Sequence, residues 1–194
     1  MSQTQPRPSR RRLPAWGIVA LTLVALALVG GAGGAAFLFS GLYDIGADVP
    51  HTKPVFWLID HFRDRSVGAH AEAVKPPADL ADPRRIAAGA KLYDGLCTAC
   101  HLGPGIKKTD LSRGLYPKPP PLAYGADLTQ AQQFWVIKHG IKLTGMPSWG
   151  KTHNDDDVWN LVAFLKKLPD LEPDQYRTMA GGGTEASAKP AAGG

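Results

Sequence analysis

Two cysteines are all that 194 residues provide, Cys97 and Cys100. Neither has a further partner in the chain, so no disulfide framework can staple the fold. There is also no second C-x-x-C and no H-x₃₋₅-H, which leaves a zinc site two ligands short. No segment keeps a sustained period of two, so strands are not expected. Charge is missing altogether from residues 15–39. Both ends lack what a core needs: residues 1–14 are rich in Pro, Ser and Arg, and residues 181–194 are small and polar. Neither end can offset its ordering entropy, so both are expected to be disordered, with the flexible tail running over 177–194.

What the chain does have is concentrated at Cys97-Thr98-Ala99-Cys100-His101. This is C-x-x-C-H, the sequence at which a haem is attached through two thioethers. Two cysteines three apart on a helical turn reach two vinyl edges of one porphyrin, and the next residue offers its imidazole to the iron. A thioredoxin-like redox pair would follow a strand, whereas the residues before Cys97 read as helix. One covalent haem c, held by Cys97 and Cys100 with His101 on the iron, is the expectation.

The uncharged run from Ala15 to Phe39 is long enough to cross a bilayer, which needs about 20 apolar residues. A cleaved signal peptide is the competing reading. The apolar stretch continues through Phe37-Leu38-Phe39, past any small-residue cut near Gly33–Ala36, and favours a single-span anchor. Arg7, Arg10, Arg11 and Arg12 precede the span, and Asp44 and Asp48 follow it. The positive-inside rule then puts the N-terminus in the cytoplasm and the rest of the chain outside a bacterial cytoplasmic membrane, in the periplasm. The net charge of +5 is thus topological, and no nucleic-acid partner is needed to explain it.

Residues 40–81 read as a connector with a short apolar helix near Val55–Arg63, opened by Pro54. That segment could lie at the membrane surface, on the haem domain or on a partner. Residues 82–176 read as one all-α domain. Asp82-Pro83 opens a helix whose Ile86, Gly89, Ala90, Tyr93 and Leu96 share a face. Thr129 and Gln132 form a capping box for a second helix that Gly140 ends. Asn154 caps a third, with Asp155–Asp157 at its start and Lys166-Lys167 at its end.

The second axial position decides between electron carriers and ligand-binding haems. Met146 sits in Thr144-Gly145-Met146-Pro147-Ser148-Trp149, a turn-rich loop between two helices, and is the expected ligand. His139 is the runner-up, Met179 lies near the tail, and the remaining histidines read as solvated.

On these residues the segment 82–168 resembles a class I c-type cytochrome of the membrane-anchored bacterial monohaem type. Cys97–His101 is similar to its attachment site, Thr144–Pro147 to its methionine loop and Leu161–Lys167 to its C-terminal helix. The resemblance implies a small cytochrome c fold in which Gly89 and Tyr93 make the crossing of first and last helices. It also implies that the Pro120 carbonyl accepts from His101 Nδ1, and it leaves Trp149 either beside the haem or in the core. With His and Met both bound, the chain would be an electron carrier between redox donor and acceptor proteins, and no enzyme by itself. A subunit of an oxidase or periplasmic dehydrogenase is an alternative. A sensor or peroxidase-like haem with displaceable Met146 is another. Lys107, Lys108, Lys118, Lys138 and Lys142 read equally as a steering rim or as solubilising charge.

Overall fold

The computed structural model describes residues 14–181, so the expected disorder at either end falls almost wholly outside the described residues. Among the described residues every regular element is helical. The chain divides into two units, residues 1–46 and 47–194.

The first unit is one helix, α1 (Ala15–Phe39). It carries no side-chain cap and no charged residue in its first or last turn. None of its residues is buried, and Leu21, Leu26, Val29 and Phe39 are all more than 60% exposed. Thr22 satisfies its hydroxyl on the Ile18 carbonyl at 2.9 Å, within the helix. A helix apolar on every side cannot choose a face to bury in water, and a lipid phase is the environment in which that pattern is stable. At 1.5 Å per residue its 25 residues extend about 37 Å, beyond a hydrocarbon core of about 30 Å. It is the one described helix long and apolar enough to cross a membrane.

The second unit opens with α2 (Lys53–Ala71), with Pro54 in its first turn. The helix was expected to be short, but it has 19 residues. The reason is a second apolar patch beyond Arg63: Val67 and Ala71 are each 4% exposed. The ring of His70 meets that of Trp135 at 5.3 Å. The C-terminal half of α2 therefore packs on the domain, while Phe56, Trp57, Leu58 and Phe62 stay exposed. The domain consequently begins before residue 82, and Leu80 already belongs to its core.

The helices that follow are α3 (Pro83–Leu96), α4 (Thr98–His101), α5 (Asp110–Gly114), α6 (Gln130–His139), α7 (Asp155–Lys167) and α8 (Pro173–Ala180). Their starts follow from local chemistry. Asp82 accepts from Arg84 N at 2.8 Å. Thr129–Gln132 and Asn154–Asp157 close reciprocal capping boxes ahead of α6 and α7. α8 contradicts a tail beginning at 177, and it contains Met179. Glu172 and Gln175 cap it, Pro173 pre-sets its first turn, and Tyr176 is 2% exposed. Burying that ring holds residues that composition alone would leave loose.

The core forms where α3 crosses α7. At Gly89 the helices approach so closely that a Cβ would lie 1.9 Å from the Asn160 carbonyl oxygen. Beside that crossing Tyr93 and Phe164, both 0% exposed, stand with ring centroids 5.4 Å apart. Tyr176 adds an edge contact to Tyr93 at 6.4 Å and donates to Asp94 Oδ1 at 2.9 Å. α6 joins through Phe134, stacked on Trp159 at 4.2 Å.

Candidate cofactor site

α3 delivers the C-x-x-C-H motif directly. Cys97 N donates to Tyr93 O at 2.9 Å and His101 N to Cys97 O at 2.8 Å, so all five motif residues wind on one turn. Immediately after it the chain reverses at Leu102, whose φ of 61° is rare for a branched side chain. Tyr93 Oη secures that reversal by donating to Leu102 O at 2.7 Å. The core tyrosine thus holds the motif's exit in place.

The long loop after Leu102 folds back on the motif. Thr109 Oγ1 bonds Ala99 O at 2.5 Å. Further along, Pro120 O accepts from His101 Nδ1 at 2.9 Å. With Nδ1 donating, Nε2 is the ring nitrogen available to a metal. Burial lowers the imidazole's pKa, and the Pro120 hydrogen bond opposes this in part. The neutral, ligating form is favoured. Burial pushes the Cys97 thiol up to about 12, with the neighbouring Cys100 adding to the effect, and burial raises Cys100 as well. Reactive redox cysteines are held as thiolates by positive surroundings. These are held as thiols, contrary to the redox-pair reading.

Met146 is placed by α6. Gly140 ends that helix with φ of +67°. A Cβ there would lie 2.7 Å from both Met146 O and the Pro147 carbonyl carbon. Ile141 N donates to Met146 O at 3.3 Å, Met146 N to Thr144 Oγ1 at 3.1 Å, and Ser148 Oγ to Lys138 O at 2.8 Å. The methionine loop is thereby pinned to the C-terminus of α6.

These pieces enclose one cavity of about 750 Å³, lined by Cys97, Cys100, His101, Pro120, Met146 and Trp149. Leu115, Val136, Ile137 and Ile141 supply apolar wall. Among the described residues, His101 is the only imidazole and Met146 the only thioether on that lining. His139 is exposed and stacks near Trp135 at 5.0 Å. His51 meets Tyr116, His61 stacks on Trp57 and His153 packs against Trp149. Met179 packs against the core from α8. Of the five lysines, Lys118 lines the cavity, and Lys138 is engaged by Asp155 at 2.6 Å. Trp149 both borders the cavity and touches the core cluster.

Sequence reasoning missed one wall. Arg63, Asp64 and Val67 of α2 also line the cavity. Their signal was the spacing Asp60, Arg63, Asp64, Val67, Ala71, a single helical stripe that runs past the apolar stretch at Val55–Phe62.

A pocket of this size falls in the range that holds a cofactor. The imidazole and thioether are donors suited to iron in a porphyrin, and the two thiols suit attachment to its vinyl groups. Residues 84–165 match the family model described as Cytochrome C oxidase, cbb3-type, subunit III. Neither a curated protein nor a solved structure matches the chain significantly.

Proposed function

We propose that this chain is a membrane-tethered one-electron carrier with a single covalent haem c, a reading supported by the c-type cytochrome family match over residues 84–165. The observation that carries the reading is the convergence of Cys97, Cys100, His101 and Met146 on one cavity. When bound, the haem supplies an iron that alternates between ferrous and ferric states.

The chain's own residues do the rest. The Cys97 and Cys100 thiols would hold the haem covalently, each by addition of its S–H across a vinyl group, with nothing released. His101, its Nδ1 committed to Pro120, would offer Nε2 to the iron. Met146, its loop held against Gly140, would offer its thioether to the same iron, a ligand that favours the ferrous state. With both residues bound, the iron would have no open site for a substrate. The apolar surface of Leu115, Val136, Ile137 and Ile141 would limit reorganisation when charge changes. α1 is the anchor, and Arg7–Arg12 ahead of it keep the N-terminus cytoplasmic and the haem domain outside.

The test uses full-length protein made with a cytochrome c maturation system. Its haem should survive acid–acetone extraction, and the ferric protein should show the weak near-infrared band of sulfur-ligated haem. Met146→Ala should abolish that band, open the iron to carbon monoxide and leave the haem attached. Complete extraction of haem would refute attachment, and a band that persists in Met146→Ala would refute the ligand. A second reading, a subunit of an oxidase or other redox complex, is favoured by the matched family and by the exposed Phe56, Trp57, Leu58 and Phe62. Purification in mild detergent separates the two, since a subunit brings its partners and a carrier emerges alone.

A further inference from the structure

α2 lies outside the family-matched residues 84–165, yet it contributes Arg63, Asp64 and Val67 to the cavity wall. It is held there by buried Val67 and Ala71 and by the His70–Trp135 contact. Arg63 stands between two carboxylates. Its Nη1 reaches Asp60 Oδ1 at 2.6 Å, and its Nε and Nη2 reach Asp64 Oδ1 at 2.9 and 2.6 Å. The Arg63 side chain is 38% exposed, so the cluster adds little to stability. Its position matters more, because charge beside an apolar wall is screened less than charge in open water. Apart from Arg63, Asp64 and His101, the ionisable side chains on the lining are Lys118, Asp127 and the two cysteine thiols, which burial keeps neutral.

We propose that the Asp60–Arg63–Asp64 cluster of α2 sets the redox balance of the group bound in the cavity. The inference rests on the haem reading above. With all three groups ionised the cluster carries one net negative charge. The oxidised site carries one more positive charge than the reduced site, so negative charge nearby favours oxidation. Replacing Arg63 by a neutral residue leaves two uncompensated carboxylates and shifts the balance toward the oxidised form. Neutralising Asp64 shifts it toward the reduced form. Loss of packing alone would move both variants the same way.

The experiment is a potentiometric titration of the full-length protein in detergent, native and as Arg63→Gln, Arg63→Lys and Asp64→Asn. Arg63→Gln should lower the ratio of reduced to oxidised protein at fixed ambient potential about threefold, a partly screened unit charge. By the one-electron constant of 59 mV per tenfold, that is a shift of about 30 mV. Asp64→Asn should raise the ratio by a similar factor, and Arg63→Lys should restore the native value. Shifts of the same sign, or no shift in variants that keep their haem and near-infrared band, would overturn the proposal. If Arg63→Gln does not accumulate, Asp60→Asn joins Asp64→Asn, and both must raise the ratio. Haem extracted from the native protein by acid–acetone would defeat the parent reading first, before any potential is read, and the inference with it.

Discussion

The cytochrome domain is dense where α3 crosses α7 and hollow where α4 faces the methionine loop. On the dense side Tyr93, Val158, Val162 and Phe164 are all 0% exposed. On the hollow side Cys97, Cys100, His101 and Met146 are only partly buried around about 750 Å³ of space. Each side depends on a glycine set against backbone. Gly89 lets α3 touch the Asn160 carbonyl, and Gly140 lets α6 touch Met146 and Pro147. One glycine closes a core built from side chains, and the other closes a site whose remaining volume we assign to the proposed cofactor. The difference teaches that stability and redox chemistry are separable here, and substitutions should reveal the division.

The largest effect is expected at Gly89. A Cβ would stand 1.9 Å from Asn160 O and 2.6 Å from the carbonyl carbon, so a helix backbone has to move. Gly89→Ala should cost about 3 kcal/mol or more, despite alanine's better helix propensity. Chemical denaturation of the haem-loaded protein measures it. A cost below about 0.5 kcal/mol, within the range of ordinary surface changes, would show that the crossing is looser than described.

Gly140→Ala should be milder in stability and sharper in chemistry. Its φ of +67° and the 2.7 Å approach to Met146 O both resist a side chain. With ψ at −173° the residue lies in a region almost exclusive to glycine, which alone costs a side-chain-bearing residue about 1–3 kcal/mol. The main readout is spectroscopic: the near-infrared sulfur band should weaken or vanish while the haem stays attached. If Gly140→Ala keeps the band and Gly89→Ala loses it, the assignment of the two sides is reversed.

Much of this division was legible in the residues. The C-x-x-C-H motif sits on the turn its spacing demands, and the boxes at Thr129 and Asn154 open α6 and α7 as their side chains dictate. Pro120 was reached only through the family resemblance, because a contact 19 residues away leaves no local pattern. α8 and the C-terminal half of α2 were hidden for a related reason. Their anchors, Tyr176 on Asp94 and Val67 beside α6, are tertiary contacts, and such contacts override composition. The stripe that reaches the cavity shares α2 with the exposed apolar stretch Val55–Phe62, whose stronger hydrophobic signal masks it in the sequence.

The smallest effect should come from the dense side at its outer end. Asn154 Oδ1 accepts from Asp157 N at 2.9 Å, and Asp157 Oδ2 accepts from Asn154 N at 3.3 Å. Asn154→Ala removes the first of these and leaves a backbone donor to water. Loss of such a cap costs about 1 kcal/mol. Asp155, Asp156 and Asp157 still complement the helix dipole, which keeps the loss near that figure. Asn154 does not line the cavity. The variant should therefore unfold at lower denaturant while its near-infrared band and redox balance stay native. A shifted potential in Asn154→Ala would mean that α7 transmits its packing to the cofactor, and that the dense and hollow sides are coupled.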